Sequence, residues 1–105
     1  MKNEIKEAVS SQIKNKFKDK SRNKKIADSC LFLADEWATI KGSDALEDFT
    51  KSQAKKSCKK YIKKHLKEQI VGNPLVTILF SVIVKLIIEW VIENYITNLL
   101  KNRGQ

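Results

Sequence analysis

The sequence is poor in the residues that shape β-rich, disulfide-bonded or loop-rich proteins. Its 105 residues include one proline, three glycines and two cysteines. So little Pro and Gly argues against a loop-rich β scaffold, and two cysteines are too few for a disulfide framework in a chain of this size. The length allows only one small domain. We therefore expect a single helical unit made in a reducing cytosol.

Sequence signatures of catalysis and of cofactor binding are lacking as well. There is no glycine-rich phosphate loop and no dinucleotide fingerprint. Cys30, Cys58 and His65 carry no Cys-x-x-Cys or His-x-x-x-His spacing, and a structural zinc usually takes four ligands. Asp35 and Glu36 are adjacent, so on a helix their carboxylates point apart and cannot share a substrate. The sequence predicts a non-enzymatic protein with no metal and no cofactor.

Positive charge is what the sequence has in excess. Lys and Arg number 21 against 12 Asp and Glu, which gives a formal net charge of +9. By segment the charge is +6 in residues 1–25, −5 in 26–50, +7 in 51–68 and +1 in 69–105. Such an excess indicates a polyanionic partner: nucleic acid, an anionic lipid surface or an acidic protein. Because the first two segments can offset each other in a bundle, the free charge is expected mainly on residues 51–68.

Apolar residues at helical spacing predict the first two helices. The first carries an i,i+4 row of Ile5, Val9, Ile13 and Phe17. Ser21 or Asn23 can cap the second, and Gly42 supplies its C-terminal stop. The core face of the second helix is expected to hold Ile26, Cys30, Leu33, Ala34, Trp37 and Ile40.

Two further helices follow in the second half of the chain. Asp44 followed by Glu47 resembles a capping box and predicts a third helix from there to about Val71. Residues 72–74, Gly-Asn-Pro, break the chain because proline lacks the amide hydrogen and disfavours the α region for the residue before it. We therefore predict an all-α protein with about four helices: three amphipathic ones in residues 1–71, then a long hydrophobic one in residues 75–101.

The last helix is hydrophobic enough to raise the question of a membrane span. Residues 75–94 would cross a hydrocarbon core of roughly 30 Å at about 1.5 Å per residue. Lys85 and Glu89 near the middle cost about as much free energy as the apolar side chains supply. Three alternatives stay open: a transmembrane helix, a buried core of the protein or of an oligomer, and reversible association with a membrane surface.

Apolar residues occupy two opposed sides of this helix, which predicts burial on both sides by lipid or by protein. One row holds Val76, Leu79, Ile83, Leu86 and Trp90; the other holds Phe80, Val84, Ile87 and Val91. If the helix spans a membrane, the lysines before residue 75 keep the N-terminal portion in the cytoplasm and make the protein C-terminally anchored.

Residues 51–67 form a basic amphipathic helix. One side holds Ala54, Cys58, Tyr61, Ile62 and His65, and the other holds Lys55, Lys56, Lys59, Lys60, Lys63, Lys64 and Lys67. The lysines are either a solvated face of the bundle or a contact surface for anionic lipid or phosphate. Base-specific recognition is not expected, because the two arginines, Arg22 and Arg103, lie outside this helix.

Phe32 breaks the pattern of the second helix. It projects among Asp28, Asp35, Glu36 and Thr39, on the acidic side. An aromatic residue there either contacts a partner or packs under the first helix, and we favour packing.

Two hypotheses of function follow. The first is a membrane-associated helical interaction protein, on the cytoplasmic face of a membrane, with a basic region beside its hydrophobic anchor. The second is a soluble oligomeric assembly protein, in the cytoplasm or in a phage virion, whose lysines contact nucleic acid or acidic subunits. In both the partner is an anionic surface or other subunits, and a homo-oligomer is expected.

Overall fold

The computed structural model of the chain is all-helical. It describes residues 2–18, 21–69 and 74–103, with side chains placed in 3–18, 23–42, 48–67 and 85–101. The helices are α1 (Lys2–Lys16), α2 (Ser21–Glu47), α3 (Lys51–Gln69) and α4 (Pro74–Arg103). These described ranges contain no strand, and the prediction of an all-α protein with four helices is confirmed.

Helix α1 forms along the predicted apolar row. Ile5, Val9 and Ile13 are buried, and Phe17 is half-buried against the same core. The Phe17 amide donates a hydrogen bond to the Ile13 carbonyl at 2.9 Å, so the chain keeps its helical turn just past Lys16. The predicted core face of this helix is confirmed.

Helix α2 packs against all three other helices, so its buried arc is wider than one stripe. Its buried side chains are Ala27, Cys30, Leu31, Leu33, Ala34, Trp37 and Ala38. Ile26 is partly buried against them. Placing Ile40 in the core was wrong: this side chain is 64% exposed, because it projects to one side of the arc that centres on Ala34 and Trp37.

Gly42 interrupts helix α2. Its φ of 73° and ψ of 161° lie outside the helical region, in a conformation open to glycine because it has no Cβ. The predicted stop at Gly42 is therefore a real break in the helical backbone. Helical turns resume after it and continue to Glu47, which makes Gly42 a kink inside α2.

Helix α3 begins later than the sequence suggested. The Thr50 amide donates to Gln53 Oε1 at 3.0 Å, and the Gln53 amide donates to Thr50 Oγ1 at 3.2 Å. This reciprocal pair is a capping box, and the helix starts at Lys51. The predicted start at Asp44 and Glu47 was wrong, because those residues continue α2 beyond its kink.

Helix α4 starts at Pro74, a position where the missing amide hydrogen costs no hydrogen bond. The other two residues of the predicted break, Gly72 and Asn73, lie outside the described residues. In residues 85–101 the buried side chains form one stripe: Ile87, Ile88, Val91, Ile92, Tyr95 and Ile96.

The two apolar rows predicted for α4 have different outcomes. In the first, Leu86 is 68% exposed and Trp90 is half-buried, so this row is not a buried face where the structure describes it. In the second, Ile87 and Val91 are buried as predicted. The physical reason is that α4 buries the side facing α2 and turns Leu86 outward. The remaining members of both rows lie outside the described side chains: Val76, Leu79, Phe80, Ile83 and Val84.

Helices α2 and α4 occupy the centre of the bundle. They pack on each other, and each packs on both α1 and α3, whereas α1 and α3 do not touch over the described ranges. The outer faces of α2 and α4 therefore point to opposite sides of the molecule.

A polar contact joins three helices inside this arrangement. The Tyr95 hydroxyl donates to Asp35 Oδ1 at 3.4 Å, and Lys6 Nζ lies 4.0 Å from the other oxygen of that carboxylate. Burial, and next the nearby Asp35 charge, raise the pKa of Tyr95. Trp37 Nε1 donates to Ser57 Oγ at 3.0 Å, which ties α2 to α3.

Candidate functional site

Helix α3 has a narrow apolar side and a broad lysine side. Ala54, Cys58, Ile62 and Leu66 are buried and recur every four residues, so one stripe of the helix faces the core. Tyr61 and His65 flank this stripe and are half-buried, with ring centroids 4.3 Å apart. The predicted apolar side is confirmed, with Leu66 as a further member.

Three lysines next to α4 pair with its two carboxylates. Glu93 forms ion pairs with Lys51, whose Nζ lies 2.6 Å from Oε1, and with Lys55. Glu89 Oε1 lies 2.9 Å from Lys59 Nζ. Hydrogen bonds from Lys51 and Lys55 lower the pKa of Glu93 to about 2. The hydrogen bond from Lys59 likewise lowers the pKa of Glu89.

The other five predicted lysines are exposed and form what we call the lysine stripe: Lys56, Lys60, Lys63, Lys64 and Lys67. At 100° per residue they fall within roughly 100° of the helix circumference. None of them makes an ion pair with the side chains that the structure describes. Of the seven lysines predicted as anion contacts, Lys55 and Lys59 instead hold carboxylates of α4.

A groove of about 810 Å³ separates α3 from α4. Its walls carry the three paired lysines, Lys56 and the two glutamates, and Trp90 and Ile92 supply its apolar part. Four lysines against two glutamates leave the groove a net charge of +2, and Lys56, which makes no ion pair with the described side chains, is itself a member of the lysine stripe. The chemistry of α3 toward an anion therefore belongs to the lysine stripe.

Trp90 packs α4 against the C-terminal end of α1 and the residue that follows it. The Phe17 ring meets the Trp90 ring edge-on, with centroids 5.8 Å apart. Lys16 Nζ lies 4.7 Å from the centroid of the same indole, within the range of a cation–π contact. Sequence patterns did not predict this cluster, because Trp90 lies 73 residues after Phe17 and 74 after Lys16.

Phe32 lies on the outer face of α2, where it is 60% exposed. Its predicted packing under α1 is therefore wrong, because the helix turns it away from α1 and α4. Glu36, one turn on, lies beside Tyr61 of α3. Partial burial, and next the charge and hydrogen bond of Glu36, raise the pKa of Tyr61.

The two thiols and the single histidine form no reactive centre that the structure describes. Cys30 and Cys58 are buried, and burial raises the pKa of each to about 12. Across the described ranges no three His, Cys, Asp or Glu side chains gather around one point as a metal site would require. Likewise, none of the described helical residues make up a stretch long and apolar enough to span a bilayer.

Comparison with known proteins found no family model, no curated protein and no solved structure that matches this chain.

Proposed function

We propose that this is a non-enzymatic protein of the cytoplasmic membrane face, and that its lysine stripe binds the headgroups of an anionic lipid surface. The observation that carries the proposal is the uneven neutralisation of α3. Glu89 and Glu93 pair with the lysines on the α4 side of the helix, whereas the stripe keeps five exposed lysines in one arc. A charged arc of this kind attracts an anionic surface, with about 1 kcal/mol for each lysine held near it.

The neighbourhood of the stripe supports lipid over other polyanions. Lys67 lies in the last turn of α3, and residues 75–84 at the start of α4 include no charged residue. Because Lys59 pairs with Glu89 and Lys55 with Glu93, the two helices run antiparallel, and both features belong to the same end of this helical hairpin. Cationic side chains beside an apolar segment match a surface with anionic headgroups above acyl chains.

Vesicle binding tests this proposal. In the triple variant Lys60→Gln, Lys63→Gln, Lys64→Gln, the stripe loses three charges. At about 1 kcal/mol each, we expect affinity for phosphatidylglycerol vesicles to fall by roughly 100-fold at low salt. Binding is measured by co-sedimentation, with phosphatidylcholine vesicles as the uncharged comparison.

A matched control separates location from total charge. The triple variant Lys14→Gln, Lys18→Gln, Lys25→Gln removes the same three charges from exposed positions on the N-terminal part of the chain. We expect it to keep most of the vesicle affinity. Equal losses in the two variants would contradict the proposal, as would tight binding to duplex DNA combined with no binding to anionic vesicles.

The depth of attachment is a separate question with its own measurement. Interfacial association fits the proposal with the bundle intact. Insertion of residues 75–94 as a C-terminal anchor would require Ile88 and Ile92 to leave the core and Glu89 and Glu93 to release their lysines. Carbonate washing of membranes from expressing cells releases an interfacial protein and retains an inserted one. Recovery of the whole protein in the soluble fraction before washing would contradict both.

The second candidate function is a soluble assembly protein. The exposed apolar side chains on the outer face of α2 favour it, because Phe32 and Ile40 are 60% and 64% exposed. A discrete oligomer in detergent-free sedimentation, without any vesicle binding, would favour this function over the first.

A further inference from the structure

The outer face of α2 carries four exposed residues that alternate in character. We call Asp28, Phe32, Glu36 and Ile40 the α2 row; they recur every four residues and therefore line one side of the helix. Phe32 and Ile40, each one turn from a carboxylate, are 60% and 64% exposed, so the side chains that the structure describes leave both largely uncovered. This row has the composition of an interface rather than of a solvated face.

The α2 row borders the lysine stripe. Glu36 lies beside Tyr61, and on α3 Tyr61 neighbours Lys64 of the stripe at i,i+3. The Trp37–Ser57 hydrogen bond lies along the same boundary. Relative to the Glu36–Tyr61 contact, it is one residue later on α2 and four residues earlier on α3, so the two helices run antiparallel. One face of the molecule thus has an acidic and apolar half on α2 and a basic half on α3.

We propose that this face binds a second copy of the chain in a two-fold symmetric dimer. A two-fold axis that runs along the α2–α3 boundary, parallel to both helices, places α2 of each copy over α3 of the other. The same surface serves on both copies, as an isologous interface requires. Opposite charges then face each other across the interface, and the exposed Phe32 and Ile40 become covered.

The symmetry also fixes which charges meet. Rotation about an axis parallel to the helices keeps every residue at its own height along the bundle. Glu36 is level with Tyr61, so it meets Lys60 of the second copy. Asp28 lies eight residues earlier, about 12 Å along α2, and Lys67 lies seven residues after Lys60, about 10 Å along α3. Asp28 therefore meets Lys67 of the second copy.

This inference does not rest on the membrane proposal, and the two can fail separately. Both use lysines of the stripe, so a second copy and a lipid surface compete for them. The dimer is accordingly measured without vesicles, and vesicle binding is measured at protein concentrations where the chain is monomeric.

A pair of matched variants tests the location of the interface. Phe32→Ser and Leu86→Ser each remove one exposed apolar side chain, from the outer faces of α2 and α4 on opposite sides of the bundle. We expect Phe32→Ser to raise the dimer dissociation constant by about tenfold or more, and Leu86→Ser to leave it unchanged. Sedimentation velocity over a concentration series gives both values.

A charge exchange tests the pairing. The variant Asp28→Lys, Glu36→Lys makes the α2 half of the face basic, like its α3 half. The variant Lys60→Glu, Lys67→Glu makes the α3 half acidic at these two positions, like its α2 half. Neither should form a dimer alone. Mixed together, they should form a heterodimer, because each basic half of the first then faces an acidic half of the second.

Some results would overturn the dimer. The dimer proposal is wrong if the wild-type chain sediments as a monomer at its highest soluble concentration. It is also wrong if Phe32→Ser and Leu86→Ser change the dimer dissociation constant equally. A mixture of the two charge variants that stays monomeric, while each variant keeps wild-type helicity by circular dichroism, also overturns it. A partner other than a second copy cannot produce assembly only on mixing.

Discussion

Cys30 and Cys58 are two thiols kept protonated by the core around them. Burial raises the pKa of both from 9.0 to about 12, and for Cys58 the neighbouring Cys30 adds a smaller increase. The thiolate is the reactive form, so neither cysteine is poised for nucleophilic or redox chemistry at neutral pH. Their contribution to the fold is that of small apolar side chains.

The shifted thiols predict a loss of stability in alkali. In the unfolded chain they ionise near pH 9, whereas in the folded chain they hold their protons to about pH 12. Between these two pH values the unfolded state binds fewer protons than the folded state. The free energy of unfolding therefore keeps its full value below pH 9 and falls as the pH rises toward 12. Urea unfolding at pH 7, 9, 10 and 11 would measure the decline.

The variant Cys58→Ala is the comparison for that measurement. It should be less stable at pH 7, because it leaves a small cavity, yet its stability should decline less steeply above pH 9. If both proteins declined with the same slope, the titration of other groups would be responsible, and the role given to the thiols would be wrong.

At the scale of elements, the start of α3 rests on one capping box. Thr50→Ala removes the hydroxyl that accepts from the Gln53 amide, and we expect it to cost about 1 kcal/mol of stability. Ser52→Ala, an exposed change in the first turn of the same helix, should stay within about 0.5 kcal/mol of wild type. Chemical denaturation measures both. Equal effects would mean that Thr50 does not cap the helix.

This helix start also shows how far the sequence predicts elements. The four helices follow from apolar spacing, and the break at Gly42 follows from glycine's conformational freedom. The start of α3 does not, because two capping-box patterns lie within ten residues: Asp44 with Glu47, and Thr50 with Gln53. Local chemistry permits both, and the folded chain forms the second, with Asp44 and Glu47 inside α2.

Sequence spacing also predicts only in part which side chains are buried and which are exposed. Periodicity identified the core rows of α1 and α3, because each of these helices buries one stripe. It misplaced Ile40 and Phe32, because α2 is surrounded on three sides and the centre of its buried arc depends on where its neighbours lie. The pairing of Glu89 and Glu93 with lysines of α3 is hidden for the same reason, since sequence spacing does not say which helix lies beside α4.

At the scale of the whole molecule, Glu93 sets how much positive charge α3 presents. Glu93→Gln frees Lys51 and Lys55, and the pair is nearly half-exposed, so its loss should cost under about 1 kcal/mol of stability. Two freed lysines at up to about 1 kcal/mol each should strengthen binding to anionic vesicles by up to roughly 30-fold.

Glu4→Gln is the control for this gain. It makes the same change in net charge at an exposed position on α1. We expect the vesicle affinity of Glu4→Gln to stay close to that of wild type in the same co-sedimentation assay. A gain of equal size would show that vesicles respond to total charge alone and not to the lysines of α3.

The central position of α4 also decides when the molecule can fold during synthesis. Helices α1, α2 and α3 leave the ribosome first, but α1 and α3 make no contact in the part of the chain that the structure describes, and α2 still lacks the neighbour that brings Tyr95 to Asp35. The carboxylates that pair with Lys51, Lys55 and Lys59 are also on α4 and are synthesised later. The nascent chain is thus more cationic and less covered than the finished protein. Its core closes only after translation has passed Ile96, so the complete fold forms late in synthesis.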